Sequence, residues 1–264
     1  QVAGHNLHIQ FLDLNDLAFI EDDNQFSDKK FTTEHVTKPK ASTPRDIVIP
    51  EPATTPTFLM VNNRQSVAYC ITSTLFKQRS EIQNWLYVID LGGSGRADFN
   101  MTVLKRDLIF SSPFDSGAGT IVNAVLQAMK NDNFDYIYTG AVTVQQNPQV
   151  LKVQVYPRDT SQATRIALFF RNSVVSNANF LFFTDTANFK YGYLVTTQHT
   201  TQFELQNMTM VARHRILKKD HYWTFGFAAT LPASNGYSFG DGDPIIYVSS
   251  HQLLVKFNFA KLTA

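Results

Sequence analysis

TIVNAVLQAMKNDNFDYIYTGAVTVQQNPQVLKVQVYPRD, residues 120–159, carries the pattern on which the fold reading turns. Ile121, Val122, Val125, Leu126 and Met129 recur near the 3.6-residue period, which predicts about three turns of helix with one apolar stripe. Thr120 is a candidate N-cap and Asn131-Asp132-Asn133 a stop. Phe134–Gln146 then reads as a long strand, with Tyr136, Tyr138, Val142 and Val144 on one face. Val150–Asp159 alternates again, Leu151, Val153 and Val155 against Lys152, Gln154 and Tyr156. Asn147-Pro148-Gln149 is expected to join the two strands as a tight turn.

Outward from this stretch the strand patterns multiply. Ser66–Phe76, Asn84–Leu91, Asn179–Thr186, Gln202–Val211, His221–Pro232 and Pro244–Leu262 all favour pleated, half-buried surfaces, and 22 Phe and 10 Tyr in 264 residues agree. Strands in this number, joined by irregular connections and with one helix, predict an antiparallel sandwich over residues 57–264. Residues 1–56 differ. Leu7, Ile9, Phe11, Leu14 and Phe19 alternate like an extended segment that needs a partner surface, and a polar, proline-spaced stretch follows. This part is expected to be an arm that orders against another subunit.

Charge excludes some roles. Lys and Arg exceed Asp and Glu by one, so no global field draws the chain to nucleic acid or an acidic membrane. No apolar run approaches the roughly 18 residues of a membrane span. The chain opens on Gln1, as expected of a segment trimmed or cut from a longer precursor. Cys70 stands alone, which excludes an internal disulfide framework, and its strand-like setting VAYCITST predicts a buried, inert thiol.

Catalytic constellations do not emerge. None of the seven histidines has His or a carboxylate at i+2, the spacing that a metal-dependent oxygenase or a cupin takes from alternate strand positions. No G-x-S-x-G nucleophile elbow occurs. Gly92-Gly93-Ser94-Gly95 lacks the Lys-Ser/Thr of a phosphate loop and reads as a turn between strands. Asp241 and Asp243 in a glycine-rich loop are a weak calcium candidate, with an ordinary acidic turn the favoured alternative. The most basic stretch, RHRILKK, offers Arg213, Arg215, Lys218 and Lys219 either to solvent or to phosphates and an acidic partner. No cofactor is expected, and no enzyme.

The order of strand patterns around residues 120–159, ending in Tyr-Pro, resembles the jelly-roll capsid proteins of picornavirus-like particles, most of all those of insect picorna-like viruses. The resemblance covers roughly residues 57–262. It implies an all-β, eight-stranded antiparallel jelly-roll sandwich, its strands B to I beginning at Ser66–Phe76. Strand C falls within Asn84–Ser111, the helix at Ile121–Lys130 lies between C and D, and Phe134–Gln146, Val150–Arg158, Asn179–Thr186, Gln202–Val211, His221–Pro232 and Pro244–Lys261 follow in turn. It further implies a structural capsid protein released by polyprotein processing, assembled in the host cytoplasm with sister jelly-roll subunits into an icosahedral virion. Viral RNA would be enclosed with weak direct contact, and Leu7, Ile9, Phe11, Leu14 and Phe19 would make arm contacts between subunits. Asp22-Asp23 is followed by Asn24 instead of the Phe of the Asp-Asp-Phe motif that some relatives link to maturation cleavage. A ligand- or carbohydrate-binding β sandwich is the alternative from a different class.

Overall fold

The computed structural model describes residues 6–11, 45–52, 58–76, 79–92, 101–113, 121–142, 148–170, 180–185, 189–196, 199–215, 225–230, 244–249 and 254–258. These form seventeen strands in five antiparallel sheets, with no α-helix among the described residues. β1 (Asn6–Phe11) and β2 (Arg45–Pro52) make a separate two-stranded sheet. The first large sheet comprises β3 (Phe58–Asn62), β4 (Val67–Phe76), β5 (Glu81–Asp90) and β6 (Thr102–Pro113). The second comprises β7 (Ile121–Gln127), β8 (Asp135–Val142), β9 (Pro148–Val155) and β10 (Arg165–Phe170). The third comprises β11 (Phe180–Thr184), β12 (Tyr191–Thr196), β13 (His199–Glu204) and β14 (Thr209–Arg215). The fourth has three strands, β15 (Phe225–Thr230), β16 (Pro244–Ser249) and β17 (Leu254–Asn258).

Each large sheet is a meander: among the described residues every ladder joins strands consecutive in sequence. Antiparallel sheets packed face to face are therefore present as expected, but in four layers with three shared cores. Tyr69, Ile71, Leu86 and Val88 of the first sheet meet Ile137, Leu151, Val153 and Val155 of the second. Tyr138 and Val150, on the second sheet's other face, meet Phe182, Leu194 and Phe203 of the third. Phe183, Tyr193 and Val195 then meet Ile246 and Val248 of the fourth. Each such side chain, fully buried, contributes about 1.5–3 kcal/mol. The leading strands adjoin as well: β3 lies against β7, β7 against β11, and β11 against β15.

The helix expected over Ile121–Lys130 is a strand, β7, and the reason lies in its register. Ile121 faces Ala141 and Asn123 faces Gly140, so the ladder slips by one residue at Val122. The bulge resets the alternation. Ile121, Ala124 and Leu126 thereby share the core between the first and second sheets, whereas Val125 enters the next core. A strand with a bulge, packed at least in part on both faces, imitates helical spacing. Asn131-Asp132-Asn133, expected as a helix stop, instead lies in the bend before β8.

Other expected boundaries shift. β8 and β9 match the two strands of the opening stretch, with Leu151, Val153 and Val155 sharing one core as the alternation predicts, but Pro148 and Gln149 already belong to β9. The expected strand over Gln202–Val211 is broken by a turn, where Met208 takes φ 55°. The long strand from Pro244 is a hairpin of β16 and β17, and the segment within Asn84–Ser111 holds parts of two strands, β5 and β6.

Candidate functional site

Asp135, the first residue of β8, is an acid of the interior with three hydrogen bonds. It is fully buried. One carboxylate oxygen accepts hydrogen bonds from the Asn62 amide at 2.7 Å and the Tyr69 hydroxyl at 2.5 Å. The other accepts from the Met129 backbone N–H at 2.9 Å. Asn62 in turn takes the Arg64 and Gln65 amides on its own oxygen, which fixes the β3–β4 turn. Burial first, then the Asp135 carboxylate, holds the Tyr69 hydroxyl far above its ordinary pKa. With Asn62, Tyr69 and Asp135 all buried, the cluster binds the first sheet to the second and presents no surface to a substrate.

Cationic side chains tie the same sheets at their margins. Arg158, just beyond β9, reaches back to Asp90 at 2.7 Å and donates to the carbonyls of Gln65 and Ser66. Asp90 also accepts from the Gly92 amide, and the hydrogen bond from Arg158 above all holds its carboxyl below the usual range. Lys105 on β6 pairs with Asp107 at 3.3 Å and donates to the Gln162 carbonyl at 2.5 Å, while Thr164 bonds to Asp107. Lys152 on β9 bridges to the third sheet, donating to the carbonyls of Leu205 and Gln206 at 2.9 and 3.0 Å. Its ammonium lies 4.2 Å from the Tyr136 ring, and burial lowers its pKa.

Beside that turn an open cleft of about 410 Å³ is lined by Phe189, Lys190, Glu204 and Gln206. Asn207 donates to Glu204 at 3.1 Å, and the Lys190 ammonium lies 5.0 Å from the Tyr191 ring. Among the described residues the cleft offers one cation, one carboxylate, one amide and one aromatic side chain.

The sequence-predicted residues are spread over the molecule. Leu7, Ile9 and Phe11 fall on β1, opposite Ile49, Ile47 and Arg45; Leu14 and Phe19 lie outside the described residues. Arg213 and Arg215 are exposed on β14, and the ladder pairs Arg215 with His199. The Arg213 guanidinium lies 3.0 and 3.1 Å from the two ring nitrogens of His199. Lys218, Lys219, Asp241 and Asp243 lie outside the described residues. Cys70 is buried, which pushes its thiol up to about 12. No cluster of three metal-ligating side chains occurs among the described residues.

Sequence reasoning did not single out Asp135, Asn62, Arg158 or His199. The phrase YPRD carries Arg158, but nothing in its spacing says that the guanidinium crosses to another sheet. His199 is found only through the ladder that sets it beside Arg215. No protein-family model matches the chain, and no curated protein matches it.

Proposed function

We propose that the chain is a structural subunit: a capsid protein of a non-enveloped picorna-like virus, assembling with sister subunits into an icosahedral shell that encloses the RNA genome, and performing no catalysis. One observation carries the assembly part of this reading. All eight exposed large apolar side chains among the described residues stand on edge strands: Leu59 and Val61 on β3, Val103 and Leu108 on β6, Ile166 on β10, Met210 and Val211 on β14, and Leu254 on β17. Edges of monomeric proteins are usually blunted with charge or proline, so apolar edges are suited to burial by a neighbour.

The test is the assembly state of native material, by light scattering, negative-stain microscopy and the absorbance ratio for nucleic acid. A closed shell holding RNA and further proteins of similar mass supports the reading. A monomer of 29.9 kDa under conditions that preserve shells overturns it.

The eight-stranded jelly roll is the finer part of the proposal. It requires ladders between strands distant in sequence, whereas the described ladders all join neighbours, and β4, β8 and β9, expected as strands B, D and E, each already have a partner on both sides. A density map of the particle tests it, and consecutive meanders in the assembled subunit would remove the jelly roll.

The wiring favours a second reading, the ligand- or carbohydrate-binding module. Four-stranded meanders whose leading strands adjoin in succession resemble the blades of β-propellers, set around a central channel. The cleft at Phe189, Lys190, Glu204 and Gln206 then becomes the first place to look. A monomer whose melting temperature rises with a glycan, and no longer does so in Glu204→Ala, supports this reading; no response across a glycan panel removes it.

A further inference from the structure

The face of the first sheet turned away from the second is covered along its middle and bare along both sides. Register places Leu59 and Val61 of β3 beside Cys70 and Ala68 of β4, and Val103 and Leu108 of β6 beside Ile89 and Trp85 of β5. All lie on this outer face. The two central strands are buried there: Cys70 and Thr72 are 0% exposed, Ile89 0% and Tyr87 2%. The flanking strands are not: Leu59 is 52% exposed, Val61 46%, Val103 42% and Leu108 41%. Met101 and Leu91 pack into this outer core, and the Arg106 guanidinium stacks 3.7 Å from the Trp85 ring. No other sheet contributes a described residue to it.

We propose that this strip is the seat of the β1–β2 hairpin of the same chain, laid face-on across β4 and β5. Three features single out the occupant. The strip is two strands wide, and β1–β2 is the one two-stranded sheet among the described residues. A hairpin of that size is marginal in water without a surface to pack on. Its register sets Leu7, Ile9 and Phe11 opposite Ile49, Ile47 and Arg45, and His8 and Gln10 opposite Val48 and Asp46, so one face is almost wholly apolar and the other mostly polar. The tether agrees: five residues separate Pro52 from Phe58, enough to span about 20 Å, against about 10 Å between packed sheets. The first sheet is therefore within reach, and pairing along the edge of β3 is not the arrangement found, because the two sheets share no ladder.

For Leu7, Ile9 and Phe11 this replaces the contact with another subunit, expected from the sequence, by a contact inside the chain. The apolar flanks on β3 and β6 are left on either side of the seated hairpin. The inference does not depend on the shell reading.

Cys70 lies in the strip and is the chain's single cysteine, so it reports directly. Single cysteines are introduced in the full chain at positions 7, 9, 47 and 49 on the apolar face, and at positions 8 and 48 on the other. Each variant is oxidised with copper-phenanthroline and run on a non-reducing gel. At least one apolar-face variant, Ile9→Cys or Ile47→Cys foremost, is expected to close a disulfide to Cys70 within one chain, and neither His8→Cys nor Val48→Cys. Closure at none of the four positions overturns the proposal. A product of twice the mass would give the seat to a neighbour's hairpin and overturn the same-chain assignment.

Iodoacetamide labelling of Cys70 in variants lacking added cysteines gives a second readout. Ile47→Asp is expected to raise the rate about tenfold, equivalent to easing local opening by about 1.4 kcal/mol, with the urea midpoint of the remaining sheets retained. Equal rates for Ile47→Asp and Val48→Asp overturn the proposal.

Discussion

The Tyr69 hydroxyl donates to the Asp135 carboxylate at 2.5 Å across the junction of the first and second sheets, and both residues are fully buried. Removing one partner leaves a desolvated group short of a hydrogen bond. Tyr69→Phe is expected to destabilise the protein by about 1–3 kcal/mol, and Asp135→Ala, which strips the acceptor from three donors, by more. Urea unfolding of both variants and of the double variant checks this. A coupling of about 0.5–3 kcal/mol in the cycle is expected, and additive losses would detach the pair from one another.

Gly192 and Gly226 allow two aromatic rings to lie against the backbone. A Cβ at Gly192 would stand 2.5 Å from Phe203 Cζ, and one at Gly226 would stand 2.3 Å from Phe183 Cε1. Both rings are buried in shared cores, so they have little room to yield. Gly192→Ala and Gly226→Ala should each cost about 1–3 kcal/mol through overpacking, read as a lower thermal midpoint.

The Arg158–Asp90 contact predicts an acid-sensitive contribution. The folded-state pKa of Asp90 is depressed, so the contribution is present above the unfolded value, 3.8 in the reference state, and is lost as pH falls through the lower folded value. The Arg158 side chain is 46% exposed, so solvent screens the pair and its size is about 0–1 kcal/mol. Wild type and Arg158→Ala should differ in urea midpoint at pH 6 and converge toward pH 2. A difference that persists unchanged at pH 2 would assign the effect to the bonds with Gln65 and Ser66 alone.

Lys152 holds the β13–β14 turn by two carbonyl contacts. Lys152→Met keeps the length of the side chain and removes the donors, so amide exchange at Leu205–Met208 should quicken, with a global loss of about 1–2 kcal/mol. Unchanged exchange in that turn would show that its own backbone bonds suffice.

The sequence pattern reads well where one face of a strand is buried and the other is not. Leu151, Val153 and Val155 were legible from alternation because Lys152 and Gln154 interrupt them. β7 was not, because Ile121, Ala124 and Leu126 serve one core and Val125 another across a bulge, which breaks the period of two and leaves a spacing like that of a helix. Turns fared likewise: the break between β13 and β14 lies in Leu205–Met208, a stretch without glycine or proline, with Met208 left-handed. The buried acid at Asp135 could not be foreseen, since its three donors come from residues 6, 66 and 73 positions away. Composition did foretell a mostly β structure, as the described residues are, because Phe, Tyr, Val and Thr suit pleated surfaces wherever they pair.

The confinement of every described ladder to consecutive strands bears on how the chain comes to be folded. Within the four larger sheets 2 to 13 residues join successive strands, against 33 between β1 and β2, so in those four little loop entropy is lost before each pairing is formed. A sheet can complete its hydrogen bonding as soon as its last strand leaves the ribosome, and the next sheet then finds a finished face to condense on. Growth of the structure thus follows the direction of synthesis, layer upon layer.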